Sequence, residues 1–216
     1  MSDSFAALSQ QTGIALPPTL TALIAQGRTS NDDPALKALD ALNDFRWLSP
    51  QRAGETIAEW LNPVKQGGNV FLPFGRSGAG DAYCLVRLAS GEQGVCMVWH
   101  DSAESTLHHA GFDEFILAGY LEVMAELDLL AYHDYADIAA AVRADIDKVI
   151  ALLAPASQQV LRSIMAGPVI ERVIPAVGRM RARTVRSWIH EEHDHLVERA
   201  DRVEPTRFAV VVRWEE

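Results

Sequence analysis

Cysteine is scarce in this sequence, which has only Cys84 and Cys96 among its 216 residues. Two cysteines do not form the framework of a disulfide-rich secreted domain. No apolar run approaches the roughly 20 residues that cross a bilayer, and residues 1–4 lack the basic side chains that open a signal peptide. We therefore expect a cytoplasmic protein that has no membrane partner.

Basic residues are also few, because 19 Lys and Arg stand against 29 Asp and Glu and give a net charge of −10. The imbalance lies in residues 1–150, where 20 acidic and 9 basic side chains give −11, whereas residues 151–216 hold 9 and 10 and give +1. An acidic body argues against nucleic acid as the ligand and fits a basic protein partner. Solubility alone is the competing explanation for this acidity.

A glycine-rich segment between two apolar runs organises the chain at residues 70–88, and a further apolar run follows at residues 94–100. This pattern predicts a meander of three strands joined by tight turns. If Leu88 lies opposite Val95, the alternation of side chains places the two cysteines on opposite faces of the sheet, as separate buried thiols.

Four stretches carry a resemblance to a known family. They read LPPTLTALIAQG from residue 16, LPFGRSGAGDAYCLVRL from residue 72, GVCMVWHD from residue 94 and GFDEFILAGYLE from residue 111. This pattern of spaced glycines and aromatics resembles the SUKH superfamily, the Smi/Knr-like domain of fungal cell-wall assembly regulators and of many bacterial immunity proteins. The resemblance covers about residues 14–125.

The resemblance and the apolar periodicity predict an α+β fold: a mostly antiparallel sheet with flanking helices, plus a largely helical C-terminal extension that ends in a strand. We expect two domains, a Smi/Knr-like (SUKH) domain over residues 1–125 and an extension over residues 126–216 that packs on it.

Apolar spacing and turn residues predict the other elements. Residues 1–13 should fray, and residues 102–110 should form a loop. Helices are predicted at 17–27, 35–45, 53–61, 112–127, 134–154 (stopped by Pro155), 157–165 and 179–202, and a strand at 207–214, while residues 47–48 begin either a strand or a buried turn and 169–177 is ambiguous. The arginines that open the last helix should pair with acidic groups. The last strand must extend the main sheet or pair with another chain, because a free apolar edge aggregates.

The glycine-rich loop invites two catalytic interpretations. Gly75 and Gly80 have the spacing of a phosphate-binding loop, but Asp81 and Ala82 stand where that motif needs Lys and Ser or Thr, and a strand follows instead of a helix. A nucleophile elbow would need a further glycine at position 79. We therefore predict a structural loop formed by Gly75, Gly78, Gly80 and Asp81.

Histidines raise a third possibility, a small metal-dependent hydrolase. His190, His193, Asp194 and His195 lie close in sequence, and on the predicted helix His190 and Asp194 share one face. One such pair does not complete a tetrahedral zinc site. We predict no catalytic residue, no cofactor and no metal site, and therefore no enzyme.

The resemblance implies a non-enzymatic protein-binding module. For bacterial members it implies an immunity protein that binds and neutralises a toxin, and for fungal members a regulatory scaffold, which is the alternative. The acidity adds the expectation of a basic toxin, such as a nuclease, bound by Asp101, Glu104, Asp113 and Glu114 in or beside a loop at one end of the sheet. The oligomeric state stays open.

Overall fold

The computed structural model describes residues 4–176, 178, 181–196 and 206–213. The chain divides into two compact units. The first consists of the described residues within Met1–Asp40, Asp44–Phe115 and Val203–Glu216, and the second of those within Ala41–Asn43 and Ile116–Arg202. The C-terminal strand thus belongs to the first unit, although it lies far from that unit's other residues in sequence.

The strands fall into two sheets. Their bounds are β1 Arg46–Trp47, β2 Val70–Arg76, β3 Ala82–Arg87, β4 Gln93–Val98, β5 Glu104–His109, β6 Ile170–Ile174, β7 Arg183–Ser187 and β8 Thr206–Ala209. In the described part of the chain, six of them form one antiparallel sheet in the order β1-β2-β3-β4-β5-β8, and β6 pairs with β7. The meander predicted at residues 70–100 is confirmed as β2–β3–β4.

The helices flank these sheets. Their bounds are α1 Phe5–Thr12, α2 Pro18–Ala25, α3 Pro50–Glu59, α4 Phe112–Ala125, α5 Ile138–Val149 and α6 Pro155–Met165. The α+β class with a helical C-terminal region and a final strand is therefore confirmed. Over the residues that the structure describes, no helix combines the length and the apolar character needed to traverse a bilayer.

The N-terminal residues form α1, where the sequence predicted fraying. The Ser4 hydroxyl accepts a hydrogen bond from the Ala7 N–H at 3.2 Å, and Gly13 ends the helix with a φ of 67°. Phe5 and Leu8 are buried. A helix this short is marginal by itself, so the burial of its apolar side chains stabilises it.

The predicted helix at residues 35–45 is wrong, because the segment consists of turns. The Ala38 N–H donates to the Arg28 carbonyl at 2.9 Å, and the Ala38 carbonyl accepts from Trp47 Nε1 at 2.6 Å. These tertiary bonds use backbone groups that a helix would pair internally. Leu39 and Asp44 also have positive φ values, 60° and 52°, which end a right-handed helix.

The register between β3 and β4 also differs from the prediction. Val95 lies opposite Leu85 rather than Leu88, because Leu88 belongs to the turn. Cys84 and Cys96 are consequently direct cross-strand neighbours on the same face, not on opposite faces. Both are free and buried, as predicted, and burial raises the pKa of each thiol.

Each face of the main sheet packs against its own cluster. One cluster contains Trp60, Leu61, Phe71, Ala82, Cys84, Val86, Leu88, Cys96, Val98 and Val210. Aromatic rings of Phe45, Trp47, Phe74, Phe112 and Phe115 form the other, with centroids of neighbouring rings 5.1 to 6.5 Å apart. Tyr83 alternates with Cys84 along β3 and joins the aromatic side.

The C-terminal segment closes the first cluster. Strand β8 pairs with β5 and so extends the main sheet, the first of the two predicted alternatives; residue 214 lies outside the described residues. Buried Gln66 accepts a hydrogen bond from the Val211 N–H at 2.9 Å and donates to the carbonyls of Trp60 and Val211. Asn69 donates to the Ala209 carbonyl. The connection between α3 and β2 therefore holds a segment from the far end of the chain.

The second unit has a core of its own. Its buried apolar side chains include Tyr120, Met124, Leu127, Leu130, Val142, Ile146, Val149, Leu161, Ile164, Trp188 and Ile189. Buried Asp145 accepts hydrogen bonds from the Tyr120 hydroxyl at 2.9 Å and from the Ala41 N–H at 3.0 Å. Pro155 opens α6 and does not stop α5, because a first-turn residue needs no N–H partner.

Strand β7 occupies residues where a helix over 179–202 was predicted, and the ambiguous segment before it forms β6. Residues 179–180 and 197–202 of that prediction lie outside the described residues. Arg183 and Arg186 form ion pairs with Glu126 and Asp128, which confirms the expected pairing for these two arginines. Pairing with β6 and these ion pairs override the helical propensity of the arginine-rich sequence.

Replacing Gln66 with leucine should lower the free energy of unfolding by about 1 to 3 kcal/mol, because the Val211 N–H and the Trp60 carbonyl lose their partner, whereas the Val211 carbonyl keeps its hydrogen bond from Trp60 Nε1. Urea denaturation measures this change. Gln51→Leu is the matched control, since Gln51 is exposed on α3, and it should shift stability by less than about 0.5 kcal/mol. Equal stability of the two variants would contradict the anchoring role of Gln66.

Candidate protein-binding surface

The four carboxylates predicted to bind a partner do not share one end of the sheet. Residues 102–110, predicted to be a loop, contain β5, so that Asp101 and Glu104 lie at its start, whereas Asp113 and Glu114 follow its end in the first turn of α4. A six-residue strand spans about 17 Å, which separates the two pairs. Acidic side chains in a first helical turn also stabilise the helix.

Three segments meet at the end of the sheet where Asp101 lies. They are the loop between β2 and β3, the loop between β4 and β5, and the residues that follow β8. The Val210 N–H donates to the Ala103 carbonyl at 2.9 Å, and the Arg213 N–H donates to the His100 carbonyl at 3.0 Å. The backbone on both sides of Asp101 is therefore fixed by the C-terminal segment.

The glycine-rich loop turns the chain at the same end. A Cβ atom on Gly75 would lie 2.2 Å from the Phe45 ring, so this position has no room for a side chain. The Gly78 N–H donates to the Asp44 carboxylate at 2.6 Å, and Gly80 has a φ of +99°. Only glycine adopts such a φ without strain.

Asp81 joins the glycine-rich loop to the loop that carries Asp101. Its Oδ1 accepts from the His100 N–H at 3.1 Å and lies 2.7 Å from His100 Nδ1, while its Oδ2 accepts from the Ser77 hydroxyl at 2.8 Å. Burial alone would raise the pKa of Asp81, but the hydrogen bonds from His100 and Ser77 outweigh it and hold the pKa below its usual value.

A metal ion could in principle use the same corner. Asp81, His100 and Asp101 each bring one ligand atom within 4.8 Å of the others. Both oxygens of Asp81 already accept hydrogen bonds from protein groups. Three ligand groups, of which Asp81 is already hydrogen-bonded, do not complete a tetrahedral metal site. The arrangement is accounted for by its hydrogen bonds, which fix the loop.

The adjoining side chains of β4 and β5 form a partly exposed surface. This β4–β5 surface consists of Met97, Trp99, Glu104, Thr106 and His108, together with Asp101 in the loop between the two strands. Thr106 lies opposite Met97, so the alternation along β5 puts Glu104 and His108 on the same face. The rings of Trp99 and His108 meet edge to face with centroids 6.1 Å apart.

Histidines in β5 add no positive charge to this surface at neutral pH. Burial lowers the pKa of His108, despite its hydrogen bond with Thr106. Burial and the neighbouring His108 lower the pKa of His109 to about 4. The imidazole rings therefore act as neutral aromatic surface near pH 7, and the carboxylates set the local charge.

Asp101 and Glu104 are both exposed. Among residues 4–176, 178, 181–196 and 206–213, no lysine or arginine lies within ion-pair distance of either carboxylate. By contrast, Glu59 at the same end of the sheet pairs with Arg213 at 2.9 Å. The surface thus combines aromatic and thioether contact area with carboxylates that are available to a cationic partner.

Two clefts in the first unit are weaker candidates for a binding site. One, of about 450 Å³, lies along α3 and is lined by the ion pairs Arg52–Glu55 and Arg213–Glu59, whose charges satisfy each other. The other, of about 560 Å³, lies beside β8 and the Gln66 connection. The packing of the surrounding segments explains why each cleft is present.

The histidine-rich segment does not form the predicted helix face. Residues 191–193 make a single 3-10 turn, and His190 precedes it with its Nε2 3.0 Å from the Pro168 carbonyl. Asp194 pairs with Arg172 at 2.5 Å. The two residues proposed as a ligand pair therefore have separate structural partners.

Met97, Trp99 and His108 were missed as surface residues by the sequence analysis. The available signal was the alternation of residues 104–109, in which Ser105 and Leu107 are the inward positions. This alternation is a weak signal because half of the strand is polar. Ser105 is tolerated inside because its hydroxyl donates to the Met97 carbonyl at 2.6 Å.

Comparison with protein families gives one match, to the SMI1/KNR4 family (SUKH-1), over residues 2–118. The matched region covers more than half of the chain and includes α1, α2, α3 and β1 to β5. Comparisons with curated proteins and with solved structures give no significant match.

The loop geometry predicts that Gly80→Val will lower the free energy of unfolding by about 1 kcal/mol or more, because valine is strained at a φ of +99°. Thermal unfolding measures the effect. Ala79→Val in the same loop is the control, since residue 79 is exposed and its φ is not positive. Indistinguishable melting temperatures for the two variants would refute the strain argument.

His109 should make stability depend on pH. Its folded pKa of about 4 lies below the unfolded value near 6.5, so between these values the unfolded chain holds a proton that the folded chain lacks. The free energy of unfolding should therefore fall as the pH drops from 6.5 towards 4.

His109→Gln should reduce this fall by about 1 kcal/mol between pH 7 and pH 5, with allowance for partial exposure. Urea denaturation at the two pH values measures it. His195→Gln replaces an exposed histidine and should leave the pH dependence unchanged. A pH dependence that is the same in wild type and His109→Gln would exclude His109 as its source.

Proposed function

The chain belongs to the SMI1/KNR4 family (SUKH-1), and we propose that it is a non-enzymatic immunity protein that binds and neutralises a basic toxin, such as a nuclease. The toxin would dock on the β4–β5 surface, with Asp101 and Glu104 pairing with its cationic active-site residues. Blocking a site that holds phosphates is achieved by carboxylates that take their place.

One observation supports this location above the others. Asp101 and Glu104 are exposed, have no lysine or arginine partner among the described residues, and lie at one end of the strand pair that carries the rings of Trp99 and His108. Interfaces bind through a few aromatic anchors surrounded by polar groups, and this combination occurs here on a strand pair that is fixed from three sides. The proposal narrows the four predicted carboxylates to two, since Asp113 and Glu114 lie beyond the other end of β5.

A regulatory scaffold is the alternative function, because the family resemblance also includes fungal regulators. The same surface would then bind a different protein, and only the consequence of binding separates the two functions. An immunity protein abolishes the activity of its toxin when the two are mixed in equal amounts, whereas a scaffold leaves its partner active.

The double variant Asp101→Asn/Glu104→Gln tests the electrostatic part of the proposal. Its association rate constant with a candidate basic toxin should fall about ten-fold at low ionic strength, and the difference should largely disappear at high salt. Stopped-flow fluorescence measures both rates, and inhibition of the toxin in the same samples reports neutralisation.

Asp113→Asn/Glu114→Gln is the matched control, because it removes the same charge at the other end of β5. Its rate constant should change by less than about three-fold. If association is slowed equally in both double variants, the effect comes from overall charge. If both variants associate at the wild-type rate, electrostatic docking at this surface is excluded. A toxin that binds but stays active would favour the scaffold.

A further inference from the structure

A row of aromatic rings lies in the loop that precedes α5, at residues 131–137, with Tyr132 exposed and His133 and Tyr135 partly exposed. The ring centroids of Tyr132 and His133 are 4.3 Å apart, and those of His133 and Tyr135 are 5.0 Å apart with an interplanar angle of 18°. Tyr132 is 65% exposed, among the most exposed large apolar side chains described. Stacked rings at a protein surface form a rigid, flat contact area of the kind found at binding hot spots.

The carboxylates of this loop have no lysine or arginine beside them within residues 131–137. They belong to Asp134 and Asp137, both of which are exposed. In the described portion of the chain neither carboxylate forms an ion pair, although Asp137 also caps α5 by accepting from the Ala140 N–H. An aromatic surface and carboxylates with open acceptor sites therefore lie within one short loop.

The rings and the carboxylates together indicate which kind of group could bind to this loop. An apolar partner would desolvate Asp134 without pairing it, which is costly, and a nucleic acid would be repelled by the carboxylates. An arginine guanidinium satisfies both features, because its flat face stacks on an aromatic ring while its N–H groups bind a carboxylate. Lysine supplies the charge but not the flat face.

We propose that the loop at residues 131–137 is a docking surface for an arginine-bearing segment of a protein partner. The surface lies in the second unit and beyond the family match at residues 2–118. It does not depend on the β4–β5 surface, and it gives the C-terminal part of the chain a binding role of its own.

The test uses two short peptides as probes, acetyl-Gly-Arg-Gly-Arg-Gly-amide and its lysine counterpart, titrated into the ¹⁵N-labelled full-length chain. The arginine peptide should shift the amide signals of residues 131–137 and bind about two- to five-fold more tightly than the lysine peptide. Tyr132→Leu should remove the preference for arginine while the charge stays the same. Asp134→Asn should weaken the binding of both peptides.

Trp99→Leu is the control, because it alters the β4–β5 surface and should leave the shifts of residues 131–137 unchanged. The ¹⁵N spectrum of each variant also reports whether it is folded. Equal binding of the two peptides, shifts spread over all acidic surfaces, or an undiminished preference in Tyr132→Leu would overturn the proposal. No toxin is present, so such a failure leaves the stopped-flow test of Asp101 and Glu104 unaffected.

Discussion

The buried amide of Gln66 is the interaction on which the first unit depends. It bonds to the backbone of both Trp60 and Val211, and Trp60 Nε1 donates to the same Val211 carbonyl at 2.6 Å, so these two side chains join the end of α3 to the C-terminal segment. A buried polar group needs its hydrogen bonds, and those that Gln66 makes with Val211 exist only when the C-terminal segment is docked. In this chain, the region of the family match is therefore completed by a strand that lies outside the match.

The position of the candidate surface follows from the same docking. Residues after β8 bond to the backbone at His100 and Ala103, and Asp81 bonds to His100 from the other side. Asp101 is thus carried on a loop whose two flanks are fixed by distant parts of the sequence. A partner that binds there contacts a loop that is already ordered, so little conformational entropy is lost on binding.

Charged side chains are paired in one part of the chain and unpaired in another, which the net charge does not show. Arg183 and Arg186 of β7 are engaged with Glu126 and Asp128, so these two positive charges are paired within the chain. Carboxylates on the β4–β5 surface and in the loop at residues 131–137 have no such partners among the described residues. Burial keeps the histidines of β5 uncharged, which leaves the acidic groups unopposed.

The sequence by itself determined the meander, most of the helices and the α+β class, because apolar periodicity and glycine positions are local signals. Only the tertiary structure decided the turns at residues 35–45, the strand at residues 104–109, the opposed cysteines and the place of β8. Each depends on a partner outside the segment itself: Trp47 Nε1 donates to the Ala38 carbonyl, and β4 and β8 supply the hydrogen bonds of a half-polar strand. Local pattern cannot encode such partners, so it placed four carboxylates together that a strand of about 17 Å keeps apart.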